Sequence, residues 1–173
     1  MSTYELLFEI AEPSEEALEA AEIDIELVYA VHGNTHRLTV WQEAPSPLMA
    51  TKTATNTLRE AGLTVVRLAE DLVSRQDIAE RLESTRQAVG NWVRGARRAG
   101  APDSFPDPFS TVAGGIWLWG DINKWSRNLG KGDEFEFPNR CDYAIINNWL
   151  IHDAQRLPML DYTNTSGTAR SGR

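Results

Sequence analysis

The sequence predicts an α+β fold: a unit of mixed strands and helices, a smaller helical unit, and a closing helix. Three observations predict it. Apolar residues alternate with period two in three early segments, helix starts are signalled by Ser14 and by Pro45-Ser46-Pro47, and helical periodicity takes over beyond residue 70.

The elements follow in order. From Thr3 to Ile10, Tyr4, Leu6 and Phe8 share one face, the pattern of a half-buried strand. Ser14 can cap a helix, and Glu15 and Glu16 suit its positive end. That helix runs through Ala17, Leu18 and Ala21. Ile23, Ile25, Leu27 and Tyr29 then alternate, which places a second strand at residues 24–31. Gly33-Asn34 is a tight-turn signal. Leu38, Val40 and Gln42 oppose Thr39 and Trp41 in a third strand. Pro45-Ser46-Pro47 ends that strand and starts a second helix, to about Ala61, which Gly62 closes. Residues 63–68 form a fourth strand. The order strand, helix, strand, strand, helix, strand is the ferredoxin-like βαββαβ pattern, a fold that hosts many functions.

The formal net charge is −8, which speaks against a nucleic-acid partner until its distribution is read. Residues 1–70 carry twelve acids and four bases, net −8. Residues 71–100 carry four acids and six arginines, net +2, and no acid lies between Ser84 and Gly100. Residues 101–173 carry nine acids and seven bases, net −2. A local basic strip on an acidic body is the footprint of a DNA binder, because phosphates respond to the local field. A solvated arginine face is the other reading of the same charges. The single cysteine, Cys141, cannot form an internal disulfide and fits a reducing cytoplasm. Residues 1–5 lack the basic and apolar regions of a signal peptide. No apolar run approaches the ~20 residues of a membrane span.

In residues 75–94, Ile78, Ala79 and Leu82 fall on the inward face of one short helix, and Val89, Trp92 and Val93 on that of the next. Ala79 is the small residue that two steeply crossing helices need. Thr85 is placed to cap the second helix, which then points Thr85, Arg86, Gln87, Gly90, Asn91 and Arg94 outward. Arginine can read guanine in bidentate fashion, and Asn or Gln can read adenine. With Arg75, Arg97 and Arg98, these residues make up the expected DNA-binding set. The run Asp77-Ile78-Ala79-Glu80-Arg81-Leu82, followed by Thr85-Arg86-Gln87-Ala88-Val89, resembles the helix-turn-helix of bacterial and phage DNA-binding proteins, whose second helix enters the major groove. Glu83 stands where that family usually has glycine, and Ser84 where it usually has an apolar residue.

Gly95 is expected to end the second helix. Phe105-Pro106-Asp107-Pro108 then leads to Gly114-Gly115 between apolar residues, the pattern of a wing-like hairpin. Asp121 is expected to cap a helix containing Ile122 and Trp125. Over residues 72–129 this order resembles the winged domain of MerR-type regulators and phage excisionase-like proteins. The resemblance implies double-stranded DNA as partner, transcription regulation as role, and dimeric pairing on half-sites. Trp117, Trp119 and Trp125 read as core of this small unit, and the wing tip carries no arginine.

The expected organisation is a ferredoxin-like domain over 1–70 (docking, sensing or dimerisation) and a winged helix-turn-helix domain over 71–130. An acidic loop and C-terminal helix follow over 131–162, then a disordered tail over 163–173. The final helix, from about Asp142 to Gln155, gathers Ile145, Ile146, Trp149 and Leu150. That patch serves either a homodimer or docking onto the winged unit. The homodimer forms through this helix or the N-terminal sheet face. His32 and His36 flank the Gly33-Asn34 turn as surface residues, since a metal site needs more ligands. Cys141 has no matched base, Glu15-Glu16 and Asp133-Glu134 read as solvated charges, and no glycine spacing matches a phosphate loop. No catalytic residue, metal or cofactor is expected, and no membrane contact. An antitoxin-like or adaptor-like interaction module, gripping a protein through the acidic N-terminal domain, is the alternative to a DNA-binding regulator.

Overall fold

The computed structural model describes residues 1–99 and 104–154, with the backbone alone described at 96–99 and 154. The expected tail at 163–173 and the expected helix end at Gln155 lie outside the described residues.

The period-two alternation of β1 (Ser2–Ile10) puts Leu6, Phe8 and Ile10 on one buried face. Ser14 caps α1 (Glu15–Asp24) by accepting from the Ala17 N–H. This helix runs further than its sequence suggests, so β2 spans Leu27–His32 and not residues 24–31. Ala17, Ala21 and Ile25 lie buried at helical spacing, whereas Ile23 is 82% exposed. The apparent alternation at Ile23 and Ile25 is therefore the end of a helix. Gly33, at φ +62°, turns β2 into β3 (Thr35–Ala44). Ser46 caps α2 (Pro47–Glu60). Gly62, at φ +91°, lets the Leu63 N–H reach back to the Leu58 carbonyl at 2.9 Å, a helix-ending motif that favours glycine. Leu63 thus belongs to the helix end, and β4 begins only at Val65 (Val65–Leu68).

The four strands form one antiparallel sheet in the order β2-β3-β1-β4. One face carries Leu6, Phe8, Leu38 and Val40 against α1 and α2. The other is open and more polar, with Glu5, Leu7, Arg37, Thr39 and Trp41.

A second core follows. β5 (Leu72–Val73), α3 (Arg75–Arg81) and α4 (Arg86–Ala99) precede a 3-10 turn at Val112–Gly114, β6 (Trp117–Leu118) and α5 (Trp119–Arg127). Ile78, Ala79, Leu82 and Val89 bury against Phe105, Trp117, Trp119 and Ile122. Phe105 stands edge-on to both Trp117 and Trp125, and Trp92 edge-on to Trp125. The tryptophans expected in the core are there: Trp117 is fully buried, Trp119 is buried, and Trp125 packs against the cluster.

Three local expectations are corrected. Gly95 does not end α4, which continues to Ala99. Asp121 does not cap α5, because that helix starts two residues earlier from Leu118 with no side-chain cap. The residues before Gly114-Gly115 are not a strand. Val112 is 70% exposed in the 3-10 turn, and the loop is closed by the paired bonds between Ser110 and Ile116 and by the Gly115 N–H on the Val112 carbonyl. The true partner of β6 is β5, in an antiparallel pair. Gly115 is required at the loop base, because a Cβ there would lie 2.4 Å from the Trp117 ring.

The last helix, α6 (Arg140–Ala154), docks on α2 and β4 and not on the second core. Tyr143, Ile146 and Leu150 are buried there, while Ile145 stays 56% exposed. The Asn147 amide brackets Leu68, accepting from its N–H at 2.8 Å and donating to its carbonyl at 3.0 Å. Asp153 pairs with Arg59. The 133–137 strap ties the two cores together. Its Glu136 backbone bonds along β1 beside Tyr4, and buried Asn123 of α5 holds Asp133 and Phe135. Among the described residues no helix is long and apolar enough to cross a membrane.

Candidate nucleic-acid interface

The pairing of α3 with α4 is built by caps at three points. Ser74 and Asp77 form a reciprocal capping box: Ser74 Oγ accepts from the Asp77 N–H at 3.3 Å, and Asp77 Oδ2 accepts from the Ser74 N–H at 2.7 Å. These bonds from Ser74, its backbone N–H first, hold the Asp77 carboxyl below the usual carboxylate range. At the far end, Lys131 Nζ donates to the Leu82 carbonyl at 3.1 Å, satisfying a carbonyl that the helix end leaves unpaired. Thr85 Oγ1 then accepts from the Ala88 N–H at 3.1 Å and caps α4, as its position in the sequence implies.

The turn between the helices takes the backbone that glycine would adopt most easily. Glu83 sits at φ +46°, a left-handed conformation costly for most side chains. Its N–H bonds the Glu80 carbonyl, and the Ser84 N–H bonds the Ala79 carbonyl at 2.8 Å. The turn closes with glutamate where glycine is the expected residue, and Ser84 is half-buried rather than apolar.

The amphipathic period of α4 decides which side chains face out. Val89 is buried, and Trp92 and Val93 are packed on the core. Thr85, Arg86, Gln87, Asn91 and Arg94 are all exposed. Arg86 and Arg94 are eight residues apart, ~12 Å along a helix rising ~1.5 Å per residue. Arg94 Nη2 donates to Asn91 Oδ1, so these two side chains are oriented together. Neither Arg86 nor Arg94 forms an ion pair among the described residues. The strip therefore offers guanidinium and amide groups to a partner, with no acid of its own helix to compete.

The remaining arginines separate into different roles. Arg75 is half-buried: its Nη2 donates to the Gly114 carbonyl at 2.8 Å and its guanidinium lies over Trp117 at 5.9 Å. It clamps the 112–114 turn against α3 and brings an arginine to a loop that carries none of its own. Arg81 is absorbed by Asp71 (2.6 and 3.0 Å) and by the Trp119 ring at 4.8 Å. Arg97 and Arg98 lie on the described backbone of α4, but their side chains are outside the described residues. Sequence reasoning missed Lys131 and the Arg75 clamp, because both act across long separations in the chain and no local pattern announces them.

His36 is not a free surface residue: its Nδ1 meets the Tyr29 hydroxyl at 2.6 Å. Among the described residues no group of three or more His, Cys, Asp or Glu side chains could hold a metal ion. Compared with protein-family models, characterised proteins and solved structures, the chain matches none.

Proposed function

We propose that this protein is a sequence-specific binder of double-stranded DNA, acting as a bacterial or phage transcription regulator. In this reading residues 71–130 are a winged helix-turn-helix domain and residues 1–70 a ferredoxin-like one. α4 reads the major groove with Arg86, Gln87, Asn91 and Arg94. Arg75 and Thr85 flank it, and Arg97 and Arg98 contact phosphates. The observation that carries the reading is the exposed, acid-free strip on α4, presented by a capped pair of helices whose opposite face is buried. The chemistry of that strip suits base edges and phosphates. The reading is non-enzymatic and cytoplasmic, and it pairs two copies on two half-sites.

A second reading rests on a different surface. Glu15, Glu16, Glu19, Glu22, Asp24 and Glu26 are all exposed on or beside α1, a field that attracts a basic protein partner. An adaptor would use it with DNA binding secondary. Mobility shift of genomic fragments at stated salt, alongside analysis of co-purified protein, separates the two: a shift by the isolated chain supports the regulator, and a stoichiometric basic partner without a shift supports the adaptor.

A further inference from the structure

The open face of the sheet does not end in bulk solvent. Where it meets β5 and α3 it forms a cleft of about 420 Å³, walled by Leu7, Ala30 and Leu72 and reached by Glu5, Arg37 and Thr39. That volume is within the range that holds small organic ligands.

Arg37 is the unusual member. It is half-buried on β3, and its Nε is enclosed with no hydrogen-bond partner. Among the described residues none of its nitrogens makes a hydrogen bond or ion pair. The acids around it are already engaged. Glu9, its cross-strand neighbour, is taken by Arg67 at 3.2 Å. Glu5 accepts from Trp41 Nε1 at 3.0 Å, Asp71 is held by Arg81, and Asp77 accepts from the Ser74 N–H. An enclosed guanidinium nitrogen without an acceptor is costly and rare in folded proteins. Nε itself lies beyond the reach of a ligand, but Arg37 lines the cleft with no acid pairing its guanidinium among the described residues, so an anion in the cleft meets no competitor for it.

We propose that this cleft binds a small organic monocarboxylate, whose carboxylate bridges to Arg37 and whose compact apolar body lies against Leu7, Ala30 and Leu72. A guanidinium and a carboxylate match in bidentate geometry. Of the acids that line the cleft Asp71 is paired with Arg81, but Glu5 and Asp77 have no cationic partner among the described residues, so the second negative charge of inorganic phosphate is opposed there. Burial, the largest cause, pushes the Glu5 carboxyl upward against the lowering by the Trp41 bond, with lesser raising by Asp71 and Asp133 and lesser lowering by Arg81, which reports a poorly solvated wall. The site adjoins β5 and α3, so its occupant contacts both cores. The proposal stands apart from DNA binding, because the test uses the protein alone.

Calorimetric titration of the full chain with sodium benzoate and sodium hexanoate tests it, with benzamide and inorganic phosphate as controls. The expected result is saturable one-to-one binding of at least one carboxylate in the millimolar range or tighter. Benzamide does not bind, and phosphate binds at least tenfold more weakly. Arg37→Met removes the binding while the tryptophan fluorescence and circular dichroism of the free protein stay unchanged. Ala30→Leu, which narrows the cleft and leaves Arg37 in place, weakens it. The proposal is overturned if neither carboxylate binds, if phosphate binds as well as they do, or if both variants bind like the original chain. Should Arg37→Met fail to fold, wild-type affinity in Ala30→Leu alone overturns it.

Discussion

The two cores are held together by different means. In the N-terminal unit, β1 pairs with β3 along its whole length, from Ser2 opposite Ala44 to Ile10 opposite His36, and three helices cover one face. In the central unit, among the described residues, the only paired strands with more than a single bridge are two residues long, Leu72–Val73 with Trp117–Leu118. Backbone pairing distributes the stability of the first unit over many residues. The second depends on a few large rings, chiefly Trp117, Phe105 and Trp119. The surfaces differ as well: the first unit exposes acids along α1, the second arginines and amides along α4. A sheet can tolerate one lost contact, whereas a small aromatic core that holds one exposed helix cannot.

The sharpest way to break this comparison is Trp117→Ala. The ring is fully buried and its Nε1 donates to the Pro106 carbonyl at 3.0 Å. Its loss costs about 3–5 kcal/mol, the usual range for a large aromatic truncated in a core. Urea denaturation should show the loss, with the α3–α4 surface disordered first by hydrogen exchange. An equal loss of protection in the sheet and in α3–α4 would show that the two cores are one cooperative body. Asn147→Ala comes next. It removes both bonds that dock α6 on Leu68 and leaves backbone groups without partners, at about 1–3 kcal/mol, and should raise exchange along β4 without moving α4.

Thr85→Ala removes the α4 cap and costs about 1 kcal/mol, read as increased exchange in the first turn of that helix. The smallest effect is in acid. Ser74 depresses the Asp77 carboxyl in the folded chain. The stabilisation is therefore fully present above the ordinary carboxylate range and is lost as pH falls through the depressed value. Exchange at the start of α3 should rise over that window, and Asp77→Asn should flatten the rise.

Much of this was legible in the sequence because the signals were local. Ser14 and Thr85 cap the helices they precede, Pro45-Ser46-Pro47 starts α2, Gly33 and Gly62 turn the chain, and the stripe of Ile78, Ala79, Leu82 and Val89 faces inward. The errors arose where one pattern had two readings. Ile23 and Ile25 fit alternation as well as a helix end, and Gly114-Gly115 suggested a hairpin whose real strand partner, β5, lies on the far side of two helices. Placement of α6 was beyond reach, since its apolar stripe states that it docks but not on what. That docking has a practical consequence. A cut after residue 70 leaves Tyr143, Ile146 and Leu150 uncovered, so the two cores are not cleanly separable in sequence. The outward set on α4 was legible because helical period alone decides it. The Arg37 cleft was not, because it depends on which neighbouring acids are already occupied.

The central claim is that the outward face of α4 reads DNA, and it is tested most directly by selecting bound duplexes from random DNA with the full chain and with Arg86→Ala and Asn91→Ala. Both residues are exposed and pack on nothing in the core, so the variants should keep their stability. The account predicts an enriched motif for the original chain, with discrimination falling by ~1–3 kcal/mol at a distinct base position in each variant that loses a bidentate contact. No enriched motif, or the same motif with undiminished affinity in both variants, would contradict it.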